Sequence, residues 1–266
     1  MDVCFINDVQ AYIINPRHNF VYNKLEIIKI QNVNCAPVGV YPMTTDYPIV
    51  VKPIVNLYGM SRDTKVIRNE DKYEEYLAKK PSGEFWMPLL IGHHFTIDIY
   101  FIKGKIVFTD AFRSKKSEIF GLFKYHNHDK NFKPDNKIIN YLECLLRGYT
   151  GPCNIELLNN IILEMHLRFN GDNYIWLNHE DELKELVDGK SIDLFQDDIC
   201  YIPCFFNGFA AKKQQLILKK YEDNYNIAFD PVDGLHQTIA VRIGMFLVKF
   251  SEREKIYKIK KNNRWI

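Results

Sequence analysis

Apolar positions recur along this chain at two spacings, and the spacing changes from segment to segment. Short apolar runs at Val3 to Ile6 and Ala11 to Ile14 predict strands, broken at Asn15-Pro16. Leu25, Ile27 and Ile28 predict a short helix over Lys24 to Ile30, ending near Asn32. Pro37, Pro42 and Pro48 punctuate a loop, and Tyr47 to Pro53 then reads as a buried strand. Val66-Ile67 predicts another strand. Glu70 to Lys79 predicts a helix with Asn69 placed to cap it. The apolar run Phe85 to Leu90 leads into Ile91-Gly92. His93 to Phe101 alternates, and Lys103-Gly104-Lys105 turns it into Ile106 to Asp110 as a hairpin. Ile138, Ile139, Leu142, Leu145 and Leu146 give Asn136 to Arg147 a helical period that Gly148 stops. Further on, Glu180 to Val187 reads as helix, and Ile199 to Phe206 and Tyr225 to Phe229 as strands. Val241, Ile243, Met245 and Leu247 alternate, which favours strand within Leu235 to Phe250. Lys255 to Lys261 reads as a strand with one solvated face.

The segment Gly151 to Gly171 holds the most informative pattern. Two apolar runs flank Asn159-Asn160, and Asn tolerates the left-handed backbone a tight turn needs. Glu156 and Glu164 are separated by an even number of residues, so strands paired about this turn can set both on one face. His166 and Arg168 follow on the same parity. Two carboxylates held close repel, so they need a proton, a cation or a metal between them. A hard divalent cation such as Mg2+ takes carboxylate oxygens and phosphate oxygens together. The same alternation is also what a strand with an ordinary solvated face shows.

Composition narrows the classes. With 266 residues, 47% of them hydrophobic, the chain can form one large domain or two small ones with a real core. A net charge of +2 gives no argument for nucleic-acid binding through phosphate neutralisation. No apolar run is long enough to span a bilayer, and no signal peptide is evident, so no membrane partner is expected. The six cysteines lack metal-site spacing. Cys200 and Cys204 have no second ligand pair nearby, which argues against zinc. Free thiols point to a reducing, cytoplasmic setting. The wealth of Asn, Ile, Lys and Tyr suggests an AT-rich genome.

Other residues carry candidate chemistry. Lys52 closes an apolar strand, so it either snorkels out at the strand end or serves as a fixed ammonium for a phosphate. The loop Asn56 to Arg62, with Gly59 and Ser61 at its centre, can turn backbone N–H groups toward a phosphate. Arg113, Lys115 and Lys116 follow the central hairpin as a basic cluster, read either as a solvated turn or as an anion site. His93 and His94 are adjacent on a strand, so they point to opposite faces and do not chelate together.

The order of parts resembles the ATP-grasp superfamily over roughly Lys24 to Gly171. Val51-Lys52-Pro53 ends an apolar strand before a small-residue loop. An apolar hinge leads to Gly92 and, six residues on, Asp98. A hairpin closes on Glu164-Met165-His166-Leu167-Arg168. The resemblance implies an α+β fold, in which two subdomains with antiparallel sheets grip a nucleotide. It divides the chain into a reduced N-terminal segment 1–22, a lid 23–84, and a C-terminal subdomain with an extension, 85–266. It implies an enzyme that uses ATP and Mg2+ to join a carboxylate to an amine or related nucleophile through an acyl phosphate, releasing ADP and phosphate.

Residue by residue, the resemblance makes Lys24 and Lys52 the phosphate-binding lysines and Gly59 and Ser61 the loop over the phosphates. It makes Trp86, Met87, Pro88 and Leu89 the hinge whose backbone reads adenine. Glu156 and Glu164 become metal ligands, with His166 beside them where the family has Asn. Arg168 becomes the arginine that stabilises the acyl phosphate. His94 stands where many members carry a ribose-binding Glu, and Met87-Pro88 stands where Gln-Glu is common. Apart from the resemblance, their position after the central hairpin makes Arg113 and Lys115 candidates to bind a carboxylate substrate, with Arg113 taken as a catalytic residue. A first domain of about twenty residues is far below ordinary domain size. The part after Gly171, or the second copy of a homodimer, would then help bind small-molecule or peptide substrates. A degenerate domain that binds nucleotide or a protein partner without turnover is the alternative.

Overall fold

The computed structural model describes residues 6–57, 64–79, 81–116, 123–129, 131–170, 180–188, 190, 199–206, 211–229 and 241–265. Gly59 and Ser61 lie outside the described residues, as do the first three residues of the expected strand Val3 to Ile6 and residues 235–240 of the segment read as strand. The architecture is α+β, with two antiparallel sheets.

The smaller sheet is built from β1 (Ala36–Pro37), β2 (Ile49–Pro53), β3 (Lys65–Ile67) and β4 (Glu84–Pro88), in the order β1-β4-β2-β3. Its two faces bury different neighbours. Ile49, Val51 and Trp86 pack with Tyr73 and Tyr76 of helix α3 (Glu70–Leu77), which Asn69 caps by accepting from Lys72 N. Val50, Phe85 and Met87 point the other way, into a cluster with Ile28 and Leu163. Alternation along β2 therefore leaves Lys52 on the face that looks at the larger sheet.

The larger sheet has eight strands in the order β11-β12-β10-β7-β6-β5-β8-β9. These are β5 (His94–Ile102), β6 (Lys105–Lys116), β7 (Phe123–His128), β8 (Gly151–Leu158), β9 (Ile161–His166), β10 (Ile199–Phe206), β11 (Asn226–Phe229) and β12 (Val241–Lys249). One face is apolar. Phe95, Ile97, Ile99, Cys153 and Ile155 are buried there under Ile138 and Leu142 of α4 (Asn136–Leu145) and Ala11 of α1 (Asp8–Ile14). On the same side, Cys200, Ile202 and Phe246 pack with Leu218 of α6 (Ala211–Lys219) and Ile256 of α7 (Arg253–Asn263). The remaining helices are α2 (Lys24–Ile30) and α5 (Glu180–Val187). Among the described residues, no helix is long and apolar enough to cross a membrane.

Three local readings are corrected. Ala11 to Ile14 is not a strand but part of α1. Asn7 accepts from Gln10 N at 2.9 Å while Gln10 Oε1 accepts from Asn7 N at 3.0 Å, a reciprocal cap that nucleates the helix. Lys255 to Lys261 is not a strand but lies within α7. Ile256 and Lys260, four apart, are both buried, and Lys260 Nζ donates to Pro203 O at 2.6 Å. Arg113, Lys115 and Lys116 form no turn, because β6 continues through them and pairs with β7.

The small sheet joins the large one at Leu89 to His93, and the turn of the β8–β9 hairpin holds this join. Asn159 and Asn160 have φ of 50° and 65°, the left-handed conformation the turn requires. Asn159 Nδ2 donates to Ile91 O at 2.7 Å, and its Oδ1 accepts from His93 N at 3.1 Å. A Cβ at Gly92 would lie 1.9 Å from Asn159 Oδ1, so only glycine leaves room for this clasp. We expect Asn159→Ala to cost about 1–3 kcal/mol through the two lost hydrogen bonds. Gly92→Ala should destabilise wild type more than it destabilises the Asn159→Ala background, where the blocking amide is gone. Urea denaturation of the double-mutant cycle measures this coupling, and strict additivity would contradict it.

Candidate functional site

The site lies between the two sheets, where the polar face of the large sheet meets Lys52. The register sets Glu156 of β8 directly across from Glu164 of β9, and Asn154 across from His166. Both carboxylates therefore project from one face of adjacent strands. One ligand atom from each of Glu156, Glu164 and His166 lies within 4.8 Å of the other two. Their donor set, two carboxylates and an imidazole, fits a divalent cation by its chemistry.

Fixed cations surround Glu164. Lys24 Nζ is 2.9 Å from its Oε2, and Lys52 Nζ is 3.7 Å from its Oε1. Helix α2 places Lys24 by two contacts at its start. Asn23 caps the helix by accepting from Glu26 N, and Lys24 N donates to Ile54 O just past β2. The end of α2 is fixed to the sheet as well. Gln31 Nε2 donates to Ile162 O at 2.9 Å, and Gln31 Oε1 accepts from Ile162 N at 2.8 Å, along the outer side of edge strand β9. Burial of Glu164, whose side chain is 12% exposed, raises its pKa. Lys24 opposes this, Glu156 adds to it, and Lys52 and His166 bring the net direction below the ordinary value. Glu156 has its own partner, His94 Nε2 at 3.0 Å.

Behind Glu164 lies a second buried network, centred on Asp8 of α1. Arg168 holds this carboxylate with two bonds, Nε at 2.9 Å and NH2 at 2.6 Å. His166 Nδ1 lies 3.0 Å from Asp8 Oδ1, and Tyr22 OH donates to the same oxygen at 3.1 Å. Tyr22 OH in turn accepts from Leu167 N. Burial raises the Asp8 pKa, but His166 and Arg168 outweigh it and hold the group well below the usual carboxylate range.

The polar face continues past Glu156. Asp98 Oδ1 accepts from Asn154 Nδ2 at 2.9 Å and from Asn170 N at 2.7 Å. Thr96, Ser114 and His126 form a chain, with 3.2 Å between the hydroxyls and 2.7 Å from Ser114 Oγ to His126 Nδ1. His128 Nε2 meets Asp110 Oδ1 at 2.6 Å. Burial pushes the Asp110 carboxyl up to about 6, and its contact with His128 only partly offsets this.

The structure thus brings Lys24, Lys52, Glu156, Glu164, His166, His94 and Arg168 to one region. It does not bring Arg113 there. Arg113 pairs with Phe95 across β5, on the opposite face, where its side chain is 53% exposed and 3.8 Å from Asp129. The Trp86 side chain points into the small sheet's own core, with Nε1 donating to Val40 O, so any hinge contact from this residue is a backbone one. Met87 and Leu89 face the cluster around Leu163, and Leu89 N donates to Pro48 O. The sequence reading missed Asp8, Tyr22 and Asn154, and it named Asp98 as part of a pattern without giving it a role. Asn7-Asp8-Val9-Gln10 is a helix-start signal that would have put Asp8 in a first turn and not on a strand.

The depressed and raised carboxyls carry opposite pH signatures. Asp8, depressed in the folded state, contributes stability that is present above its ordinary value of 3.8 and lost as pH falls through its lower folded value. Asp110, raised to about 6 from 3.8, binds its proton more tightly when folded, so its contribution declines as pH rises through that window. Urea midpoints should therefore show Asp110→Asn gaining on wild type as pH rises from about 4 to 7. A pH-independent difference would contradict the assignment.

No protein-family model matches the sequence, and no curated protein matches it. Solved structures do. The N5-carboxyaminoimidazole synthetase of Staphylococcus aureus, crystallised with ADP, superposes with a TM-score of 0.63 at 12% identity, covering 92% of this chain and 72% of that one. The carboxyaminoimidazole ribonucleotide synthase of Aspergillus clavatus, crystallised with ATP, gives 0.66 at 10% identity, covering 93% and 74%. An L-amino acid ligase of Bacillus licheniformis gives 0.55 at 14% identity, covering 95% and 72%.

Proposed function

Starting from the ATP-grasp fold of this chain, we propose that it is an ATP-dependent carboxylate–amine ligase that works through an acyl phosphate. The observation that carries this reading is the convergence of Lys24 and Lys52 on Glu164, opposite Glu156. Transfer of a phosphoryl group needs its charge held by metal ions and fixed cations while little covalent work is asked of the protein. Solved structures of the same fold that were crystallised with ADP or ATP support nucleotide as the ligand.

In this reading, a bound Mg2+ or similar cation would be held by Glu156, Glu164 and His166 and would neutralise phosphate oxygens. Lys24 and Lys52 exchange Glu164 for the phosphates and fix them. The small sheet, with β2 carrying Lys52 and β4 running on to Pro88, acts as the lid over the base formed by the large sheet, and Asn159 holds the join between them. Its closure excludes water from the acyl phosphate. The carboxylate substrate takes the terminal phosphoryl group of ATP. The amine then attacks the acyl carbon, and phosphate leaves with the bonding pair.

One observation favours a second reading, a nucleotide-binding module without turnover. Arg168 is engaged at two nitrogens by Asp8, so it is already committed to a partner within the chain.

Thermal and urea unfolding with and without Mg-ATP test the nucleotide site. A ligand that binds only the native state adds about 2.7 kcal/mol at a hundredfold excess over its Kd. We expect that gain in wild type and its loss in Lys52→Ala and Glu164→Gln. No gain at saturating nucleotide would sink the proposal. ADP release on adding pooled carboxylic acids and amines, abolished in a folded Glu164→Gln, would decide for the ligase over the binding module.

A further inference from the structure

We propose that Asp8 is a positioning residue that orients His166 as a nitrogen ligand, so that the Glu156–Glu164–His166 site prefers Mn2+ over Mg2+. The inference rests on the reading of these residues as a cation site and concerns which cation it selects.

The argument begins with hydrogen-bond bookkeeping at Asp8. Asp8 is 4% exposed and, when ionised, can only accept. Tyr22 and Arg168 donate to it, and the 3.0 Å contact from His166 Nδ1 requires the proton to sit on that nitrogen. In a neutral imidazole the lone pair is then on Nε2. That atom faces the carboxylates. It lies 3.7 Å from Glu164 Oε2, beyond hydrogen-bond range but within the span of two ligands on one ion. A carboxylate holding the far nitrogen of a metal-bound histidine is a recurrent way to fix ring orientation and raise ligand basicity. His166 is 5% exposed, and edge-on contact with the Tyr22 ring at 6.0 Å between centroids further restricts the imidazole.

The donor set then discriminates between ions. Mg2+ demands oxygen ligands in near-ideal octahedral geometry. Imidazole nitrogen suits first-row transition ions. With Nε2 of His166 at one corner, the site is therefore weak for Mg2+ and suited to Mn2+. Lys24 shares Glu164 Oε2, so an entering cation displaces that ammonium. This exchange applies equally to both ions and leaves their ratio untouched.

The test is calorimetric titration of the full chain with Mn2+ or Mg2+ alone, supported by the Mn2+ electron paramagnetic resonance signal. Wild type should bind Mn2+ at least about tenfold more tightly than Mg2+. Mn2+ also exceeds Mg2+ modestly at many oxygen sites, so the variants decide. His166→Asn should bring the two affinities close together. Asp8→Asn should weaken Mn2+ about 10–100-fold while changing Mg2+ little. If Asp8→Asn fails to fold, Asp8→Glu, which keeps a carboxylate but moves it by one methylene, replaces it and should weaken Mn2+ more than Mg2+; equal effects on both ions would overturn the inference. An unchanged Mn2+-to-Mg2+ ratio in His166→Asn, a folded Asp8→Asn that binds Mn2+ as tightly as wild type, or no binding of either ion to wild type would also overturn it. A separate ADP titration keeps the two readings apart. ADP binding without the predicted cation ratio defeats only this inference. The ratio without ADP binding defeats only the functional proposal.

Discussion

Two carboxylates placed face to face on neighbouring strands are the constraint that organises this molecule. At about 4 Å and an effective dielectric near 20, two like charges cost about 4 kcal/mol. That exceeds any single exposed ion pair. The chain answers with partners drawn from distant segments. Lys24 comes from the start of α2, Lys52 from β2 and His94 from β5. Each partner sits where another part of the fold holds it. The helix cap at Asn23, the ladder between β2 and β4 and the pairing of β5 with β8 thus serve the same electrostatic requirement. The small sheet also makes apolar contacts with the large one through Phe85, Met87 and Leu163, and Lys52 belongs to the same face.

Much of this was legible in the sequence because it rests on short-range patterns. The Asn-Asn turn is local and sets Leu158 opposite Ile161, but continued unbroken it would pair Glu156 with Leu163. The β-bulge between Glu156 and Leu157, which parity alone does not reveal, brings Glu156 opposite Glu164. The helical period of α4 and the cap of α3 are also local. What was not legible depends on which face is buried and by what. Ala11 to Ile14 is too short for periodicity to separate helix from strand, so Asp8 was not seen as the far end of the Arg168 network. The basic residues after Asp110 look like a turn by composition, yet pairing with β7 carries the strand through them and sends Arg113 to the opposite face. In α7 the lysines mask the fact that Lys260 is buried and bonded to Pro203 O.

The large sheet also shows why alternation misleads when both faces are covered. Along β5, residues from His94 to Phe101 are all buried, so the usual contrast of wet and dry faces disappears. The difference is one of chemistry instead. One face is apolar against α4, and the other carries Thr96, Asp98, Ser114, His126 and His128 in hydrogen-bonded groups. Buried polar groups of this kind are costly unless paired, and that explains the density of the network.

The grip of Gln31 on Ile162 also bears on how copies of this chain could meet. An edge strand with open N–H and C=O groups is a template for another strand, and sheets extend across molecules in that way. On β9 the outward groups of Ile162 are taken by an amide from the same chain, and α2 lies alongside. Continuation of the large sheet into a neighbouring copy at this border would therefore have to displace both Gln31 and the helix that carries it up to the strand. The strand that bears Glu164 thus stays at the border of its own sheet, closed by its own chain.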